Sequence, residues 1–415
     1  MGDVATKKLY WDDPFATSFE AEASLGQWQG RPSIVLDRTL FYPEGGGQNP
    51  DAGKLVLEGN DAELPIVDVQ VDDAGTIHHL TEPAHETALT AMAVQRARGE
   101  IDADRRRDHM AQHSAQHMLS RALLDVAKAA TVSARLGATS CTIDVDVAGV
   151  KDADLHRVED LVNAAIRADV VVRQLFPTEA ELATLPLRRA PKVASGIRLI
   201  EVDGFDLTPC GGTHVTRTGQ IGAARIVGTE RYKGKIRLAF HAAQRALTDV
   251  RAKEVALSAL ARELTCGPTD VGVAVAKLRA ELKAKNETLT ATRSELVTFL
   301  AEKALAAHPA TPGAPALIVL VRERDDVNML RTLSGKLTAR ADVVAFCTAI
   351  DRDSGDHLAI LQRGQEPGFD CGAWFKEATK VHGGRGGGNK ERAEGRFPGA
   401  TDFAALEKSL RAALR

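Results

Sequence analysis

Histidines carry the clearest chemical signal in this chain. In the run RRRDHMAQHSAQHML, His109, His113 and His117 recur at four-residue spacing, so on a helix they project from one face. Neutral imidazole is a common zinc ligand, and two ring nitrogens one turn apart both reach a metal at the ~2.0–2.1 Å bond length that zinc prefers. Taken alone, the run also fits a polar helix face that binds nothing. A second segment, FDLTPCGGTHV, shifts the balance: Cys210 and His214 flank a Gly-Gly turn that bends both side chains toward one point. A thiolate and an imidazole from a turn, added to two imidazoles from a helix, make the His3Cys count of a tetrahedral Zn2+ site. A buried thiol and an ordinary turn account for the second segment by itself but not for its accompanying the first.

The elements that must position these groups follow from the hydrophobic period. Residues 1–95 alternate short apolar runs with Gly, Pro, Asn and Asp clusters, which predicts a small β-barrel or β-sandwich domain. Over 96–241, Met110, Ala111, Met118, Leu119, Ala122 and Leu123 recur at helical spacing, CTIDVDV and IRLIEVDGF read as strands, and DADLHRVEDLVNAAIRAD reads as a capped helix. Together these predict an α+β domain that holds most of the chemistry. Residues 242–310 are rich in Ala, Leu, Lys, Arg and Glu and are broken once by Cys266-Gly267-Pro268, which predicts a helical hairpin. Leu278, Leu282, Leu289 and Leu296 give it a partial heptad stripe, favouring an intrachain seam over an extended dimer. In 311–415, ALIVLV and DVVAFCTAI read as buried strands around the helical NMLRTLSGKLTARA, predicting a separate α/β unit. The fold class is α+β, without internal repeats.

Bulk properties bound the function. At 44% hydrophobic and 26% charged residues, the 415-residue chain has the balance of a folded soluble protein with more than one core. A formal charge of −3 gives no global pull toward nucleic acid, so RNA contacts must come from local basic patches. Five cysteines without a disulfide-like pattern suit a reducing compartment. With no signal-like start and no run of the roughly 18 apolar residues a membrane span needs, a cytoplasmic location without membrane contact is expected.

At HSAQH and CGGTH the sequence resembles the AlaX family of alanyl-tRNA editing proteins, whose motif is HxxxH followed at a distance by CxxxH. FYPEGGGQNPDAG is similar to the glycine-rich element of that family's N-terminal domain, and VHGGRGGGNKERAEG resembles the signature of the DHHA1-type C-terminal domain shared with alanyl-tRNA synthetases. Threonyl-tRNA synthetases carry a similar zinc motif, but the flanking elements point to the alanine system. The resemblance implies metal ligands at His113, His117, Cys210 and His214, with His109 outside the set. It also implies hydrolysis of tRNA(Ala) mischarged with serine, or with glycine. With no aminoacylation domain expected ahead of HSAQH, charging is not.

The chemical need behind such a reaction is clear. A pocket built for alanine cannot strongly reject an isostere that only adds a hydroxyl, with discrimination of ~10²-fold. A second site that hydrogen-bonds the hydroxyl can, because alanine leaves that site's polar group unpaired. By alignment to the family's serine-sensing threonine, Thr142 is the candidate for this role, against a plain strand residue. Gln48, after Gly45–Gly47, is placed near the acceptor end or the amino acid, against a simple β-turn. Four protein ligands would close the zinc coordination shell, leaving two mechanisms open: a displaced ligand with metal-activated water, or a metal that only positions the substrate. The cations Arg385, Lys390, Arg392 and Arg396 among C-terminal glycines suit phosphate contacts, against a solvated loop. Self-association through the C-terminal region would give a homodimer. The rival reading is a non-catalytic tRNA-binding protein whose zinc holds the fold.

Overall fold

Six strands of the N-terminal segment close into a barrel. They are β1 (Ser18–Trp28), β2 (Arg31–Leu36), β3 (Gly53–Leu57), β4 (Glu63–Val71), β5 (Ile77–Thr81) and β6 (Gln95–Ile101), in the closed order β1-β2-β5-β4-β3-β6. Every neighbouring pair is antiparallel, and the last strand returns to the first through Phe19↔Gly99 and Ala21↔Ala97. Alternation fills the interior: Phe19, Ala21 and Ala23 of β1 point inward with Ile34, Leu55, Ile66 and Ile77. This computed structural model describes residues 5–58, 63–89, 93–191, 196–323, 325–351 and 353–414. The chain divides into two compact units, Met1–Ala259 and Leu260–Arg415.

The barrel leads directly into α1 (Ala103–Ala127). Asp102 caps it, its carboxylate accepting from the amides of Asp104 and Arg105, and a left-handed Lys128 ends it. One face of α1 packs on β8 (Cys141–Val145), which pairs with β7 (Thr131–Leu136), and on α2 (Asp152–Arg167). A three-stranded sheet follows, of β9 (Val172–Leu175), β10 (Leu199–Val202) and β11 (Asp206–Pro209). The long hairpin of β12 (Ala224–Tyr232) and β13 (Lys235–Ala242) then completes the four-stranded sheet β12-β13-β8-β7. A buried ion pair fastens the barrel to α1. The Arg106 guanidinium meets the Asp51 carboxylate with both side chains almost fully enclosed, and Arg106 also donates to the carbonyls of Pro14 and Leu40. The arginine run that opens α1 is therefore mostly engaged: Arg105 donates to Pro50 O, and Arg107 is left exposed.

Helix α3 (Ala243–Glu263) ends the first unit's sequence and runs into the second, and the expected turn appears as a short helical turn at Pro268–Asp270. Within the second unit, α4 (Val271–Ala307) buries Val297, Ala301 and Ala304 near its end. Among the described residues of the second unit, nothing covers the leucine stripe predicted as the inner seam of a hairpin. Leu278, Leu282, Leu289 and Leu296 are 56%, 60%, 49% and 41% exposed, because only the last turns of α4 meet a sheet. That sheet runs β14-β15-β16-β18-β17, from β14 (Ala316–Arg322), β15 (Val343–Ile350), β16 (His357–Arg363), β17 (Arg385–Gly388) and β18 (Arg392–Phe397). Helices cover both of its faces, α5 (Val327–Leu337) with the end of α4 on one, α6 (Cys371–His382) and α7 (Phe403–Ala413) on the other. No helix among the described residues is long and apolar enough to cross a membrane.

Candidate metal centre

Four side chains predicted as ligands converge. One donor atom each from His113, His117, Cys210 and His214 lies within 4.8 Å of the others, with the histidines buried and the cysteine partly exposed. A zinc ion at ordinary bond lengths separates its ligand atoms by roughly 3.3–3.8 Å, so the cluster needs little closure to hold one. Cys210 Sγ is already 3.4 Å from His113 Nε2 and 3.3 Å from His214 Nε2. His109 is buried one turn earlier on α1 and stands outside the cluster.

Ring orientation supports the same reading. Gln48 Oε1, an acceptor, lies 2.7 Å from His113 Nδ1, which must therefore carry the proton and leave Nε2 free to bind a metal. His214 Nδ1 is 3.1 Å from Ser114 Oγ, again directing Nε2 inward. His117 Nδ1 has no hydrogen-bond partner among the described residues, and the buried Asp206, clamped by Arg188, places Oδ2 4.0 Å away. Burial lowers all three imidazole pKa values, to about 3 for His113 and well below the usual range for His117 and His214, so the rings are neutral at pH 7. Burial also raises the Cys210 thiol, and the nearby Arg198 opposes that rise. This donor set, neutral nitrogens with a thiol that a metal deprotonates, fits zinc.

The ligand turn is held from three sides. Arg198 donates to the carbonyls of Cys210 and Gly212 at 3.0 and 2.8 Å, and Trp11 Nε1 donates to Gly211 O at 3.0 Å. Gly212 must be glycine, since a Cβ there would lie 2.3 Å from His113 Cε1. Gln48 holds the third side: its Nε2 donates to Thr213 Oγ1 at 2.8 Å and its Oε1 accepts from Thr213 N at 3.1 Å. The turn that presents it has Gly46 and Gly47 at φ 60° and 87°, and Gly47 also lies against the Ala134 carbonyl, where a Cβ would be 2.6 Å away. Of the two readings of Gln48, contact with the acceptor end or amino acid and a simple β-turn, the turn is present, closed by Gln48 N donating to Gly45 O, and the side-chain amide engages His113 and Thr213.

Thr142 is not brought to the cluster. Cys141, Ile143 and Val145 of β8 are fully buried toward α1, so strand alternation turns Thr142 to the opposite face, beside the Asp144–Arg237 pair. On the α1 side of the same sheet sits a hydroxyl pair. Thr131 Oγ1 donates to Ser120 Oγ at 2.8 Å, and Gln116 Nε2 donates to the same oxygen at 2.7 Å, on the turns of α1 that flank His117. The glycine-rich C-terminal segment is edge strand β17 and not a loop. Of its cations, Arg392 pairs with Glu394 at 2.6 Å and Arg396 with Asp351 at 2.8 Å, while Arg385 and Lys390 are exposed.

Comparison with known families agrees with this geometry. Residues 197–239, which contain Cys210 and His214, match the "Threonyl and Alanyl tRNA synthetase second additional domain", and residues 13–105, the barrel, match "tRNA synthetases class II (A)". The chain is related to the alanine–tRNA ligases, in line with the AlaX-like editing family it resembles. It is 31% identical to that of Halorubrum lacusprofundi over 98% of this chain and 43% of the ligase. To that of Halobacterium salinarum it is 33% identical over 70% of this chain and 32% of the ligase. The chain thus spans less than half the length of these relatives. Among solved structures, the C-Ala domain of Aquifex aeolicus alanyl-tRNA synthetase aligns over 25% of this chain and 96% of that one, at 24% identity and a TM-score of 0.23.

Proposed function

We propose that this chain is a zinc-dependent hydrolase that releases serine, or glycine, from mischarged tRNA(Ala). The observation that carries the reading is the convergence of His113, His117, Cys210 and His214, the last two inside the segment that matches the editing-domain family. His113, His117, Cys210 and His214 would hold the metal, which supplies a Lewis acid and an anchor beside the ester. The chain's own residues supply the rest: Gln48 and Ser114 fix ring orientation, and Arg198 and Trp11 hold the ligand turn in place. An aminoacyl ester is activated toward water, so placement and charge stabilisation suffice without a covalent nucleophile.

Preference for serine requires a polar group that alanine leaves unpaired. Thr142 faces away from α1, and the Thr131–Ser120 pair lies on the correct side of the sheet, so we assign the sensing role to the latter. Thr131→Val should then abolish the preference while Thr142→Val leaves it intact; the reverse result would restore Thr142. RNA contact falls to Arg385 and Lys390 foremost, and the exposed leucine stripe of α4 is assigned to a homodimer.

The rival reading, a structural zinc in a non-catalytic tRNA-binding protein, draws on the same four protein ligands, which normally close a site. The deciding experiment is ester release from a large excess of Ser-tRNA(Ala) over protein. Multiple turnover, with Ala-tRNA(Ala) spared, supports the hydrolase. Binding without turnover leaves only the rival.

A further inference from the structure

Exposure distinguishes one corner of the four-residue cluster. Three ligands are buried, and Cys210, the fourth, keeps part of its surface, with Gly211 exposed next to it. Trp11 lies at that corner, its indole tied to Gly211 O, and its backbone carbonyl accepts from Gln174 Nε2 at 2.6 Å. Two residues after Gln174 comes Phe176, whose ring centre lies 6.1 Å from that of Trp11 at a tilt of 52°. Phe176 is 58% exposed, and among the described residues of the first unit no other Phe, Trp or Tyr is as open. A single exposed phenylalanine needs no explanation by itself. This one continues a tryptophan that is bonded to the ligand turn, and cations lie beside that tryptophan and that turn. Lys8 Nζ is 4.5 Å from the Trp11 ring centre, and the exposed Arg189 donates to the carbonyl of Pro209, the residue before Cys210.

Resting on the hydrolase reading above, the geometry points to Phe176 and Trp11 as a stacking step for the unpaired 3′-terminal nucleotides of tRNA, with Lys8 and Arg189 meeting the adjoining phosphates. An ester that reaches the ligands from the Cys210 side brings its ribose and base over Trp11 and Phe176. Aromatic rings bind any base through its π-face, and cations beside them follow the backbone. Such a step contributes affinity and placement without reading sequence, which suits a 3′ end common to all tRNAs. An apolar protein partner would not favour a small aromatic step flanked by positive charge.

The test uses the full chain and uncharged tRNA(Ala) carrying 2-aminopurine as its 3′-terminal base, whose fluorescence falls on stacking. Binding should quench the probe. Phe176→Ala should relieve the quench and weaken binding roughly 10-fold, Phe176→Trp should restore both, and zinc content should stay unchanged in each variant. With serylated tRNA, Phe176→Ala should raise KM by a similar factor and leave kcat near that of the parent. If the parent releases the ester while its bound probe stays bright, or if Phe176→Ala matches the parent in affinity and quench, the stacking step is overturned and the hydrolase reading survives. If the parent neither binds this RNA nor releases the ester, both fall together.

Discussion

At the scale of single residues, the site is a set of nitrogens whose direction is decided by what touches the far side of each ring. Gln48 is the clearest case, and Gln48→Ala should leave His113 free to rotate. Loss of such an outer partner typically lowers metal affinity by 10–100-fold, to be read by competition with a chromophoric chelator. Cys210→Ala and His117→Ala should each abolish stoichiometric zinc in elemental analysis, while His109→Ala should retain it, since His109 lies outside the cluster. Stoichiometric zinc in both ligand variants would refute the assignment. The candidate chelating pairs were legible because helical spacing and a tight turn bring them together locally, and the family resemblance chose His113 and His117 over His109. The role of Gln48 was not, because its partners lie 65 and 165 residues away in sequence, on elements whose meeting only the fold decides.

At the scale of elements, the barrel and α1 are joined by a buried charge pair, and burial also sets the barrel's response to acid. Arg106→Leu leaves the buried Asp51 carboxylate without its counter-charge, held by the Tyr42 amide, and should lower stability by ~3–5 kcal/mol in denaturant titration. Inside the barrel, His79 lies between Ile34 O and Thr39 Oγ1, and burial lowers its pKa to about 4. Near pH 7 folded and unfolded chains both hold this ring neutral. Below the ordinary value of 6.5 the unfolded chain takes up a proton that the folded one refuses, so stability falls from there down to about pH 4. His79→Gln should flatten that part of the stability–pH curve; an unaltered curve would show that other groups govern it. Alternation identified the strands but not which face of β8 meets α1, and the alignment that singled out Thr142 carries no information on the face it occupies. Likewise, the apolar stripe of α4 has the period of a packed seam, but period alone does not say whether a partner covers it.

At the scale of the whole molecule, chemistry and RNA affinity should separate along the boundary between the units. The four ligands, Gln48, Trp11 and Phe176 all lie in the first unit, as does Arg245, which is held by Asp108 and by the Gly137 carbonyl. A truncated chain should therefore end at Ala259; stopping at residue 241 would remove Arg245 and also Ala242, whose amide donates to Gln112 on α1. Residues 1–259 should still release serine at saturating tRNA but bind it more weakly. In the full chain, Arg385 and Lys390 are exposed while Arg392 and Arg396 are held by Glu394 and Asp351. Each cation on a phosphate contributes roughly one unit to the dependence of log K on log salt. Neutralising Arg385 and Lys390 should lower that slope by about two units, and neutralising Arg392 and Arg396 should change it less, because their charges already have carboxylate partners. Equal effects of the two pairs would mean that RNA displaces those carboxylates. A slope and affinity unchanged by removal of the second unit would assign RNA binding to the first unit alone, leaving the exposed leucines of α4 to self-association, which light scattering of the full chain against Leu282→Asp/Leu289→Asp would detect.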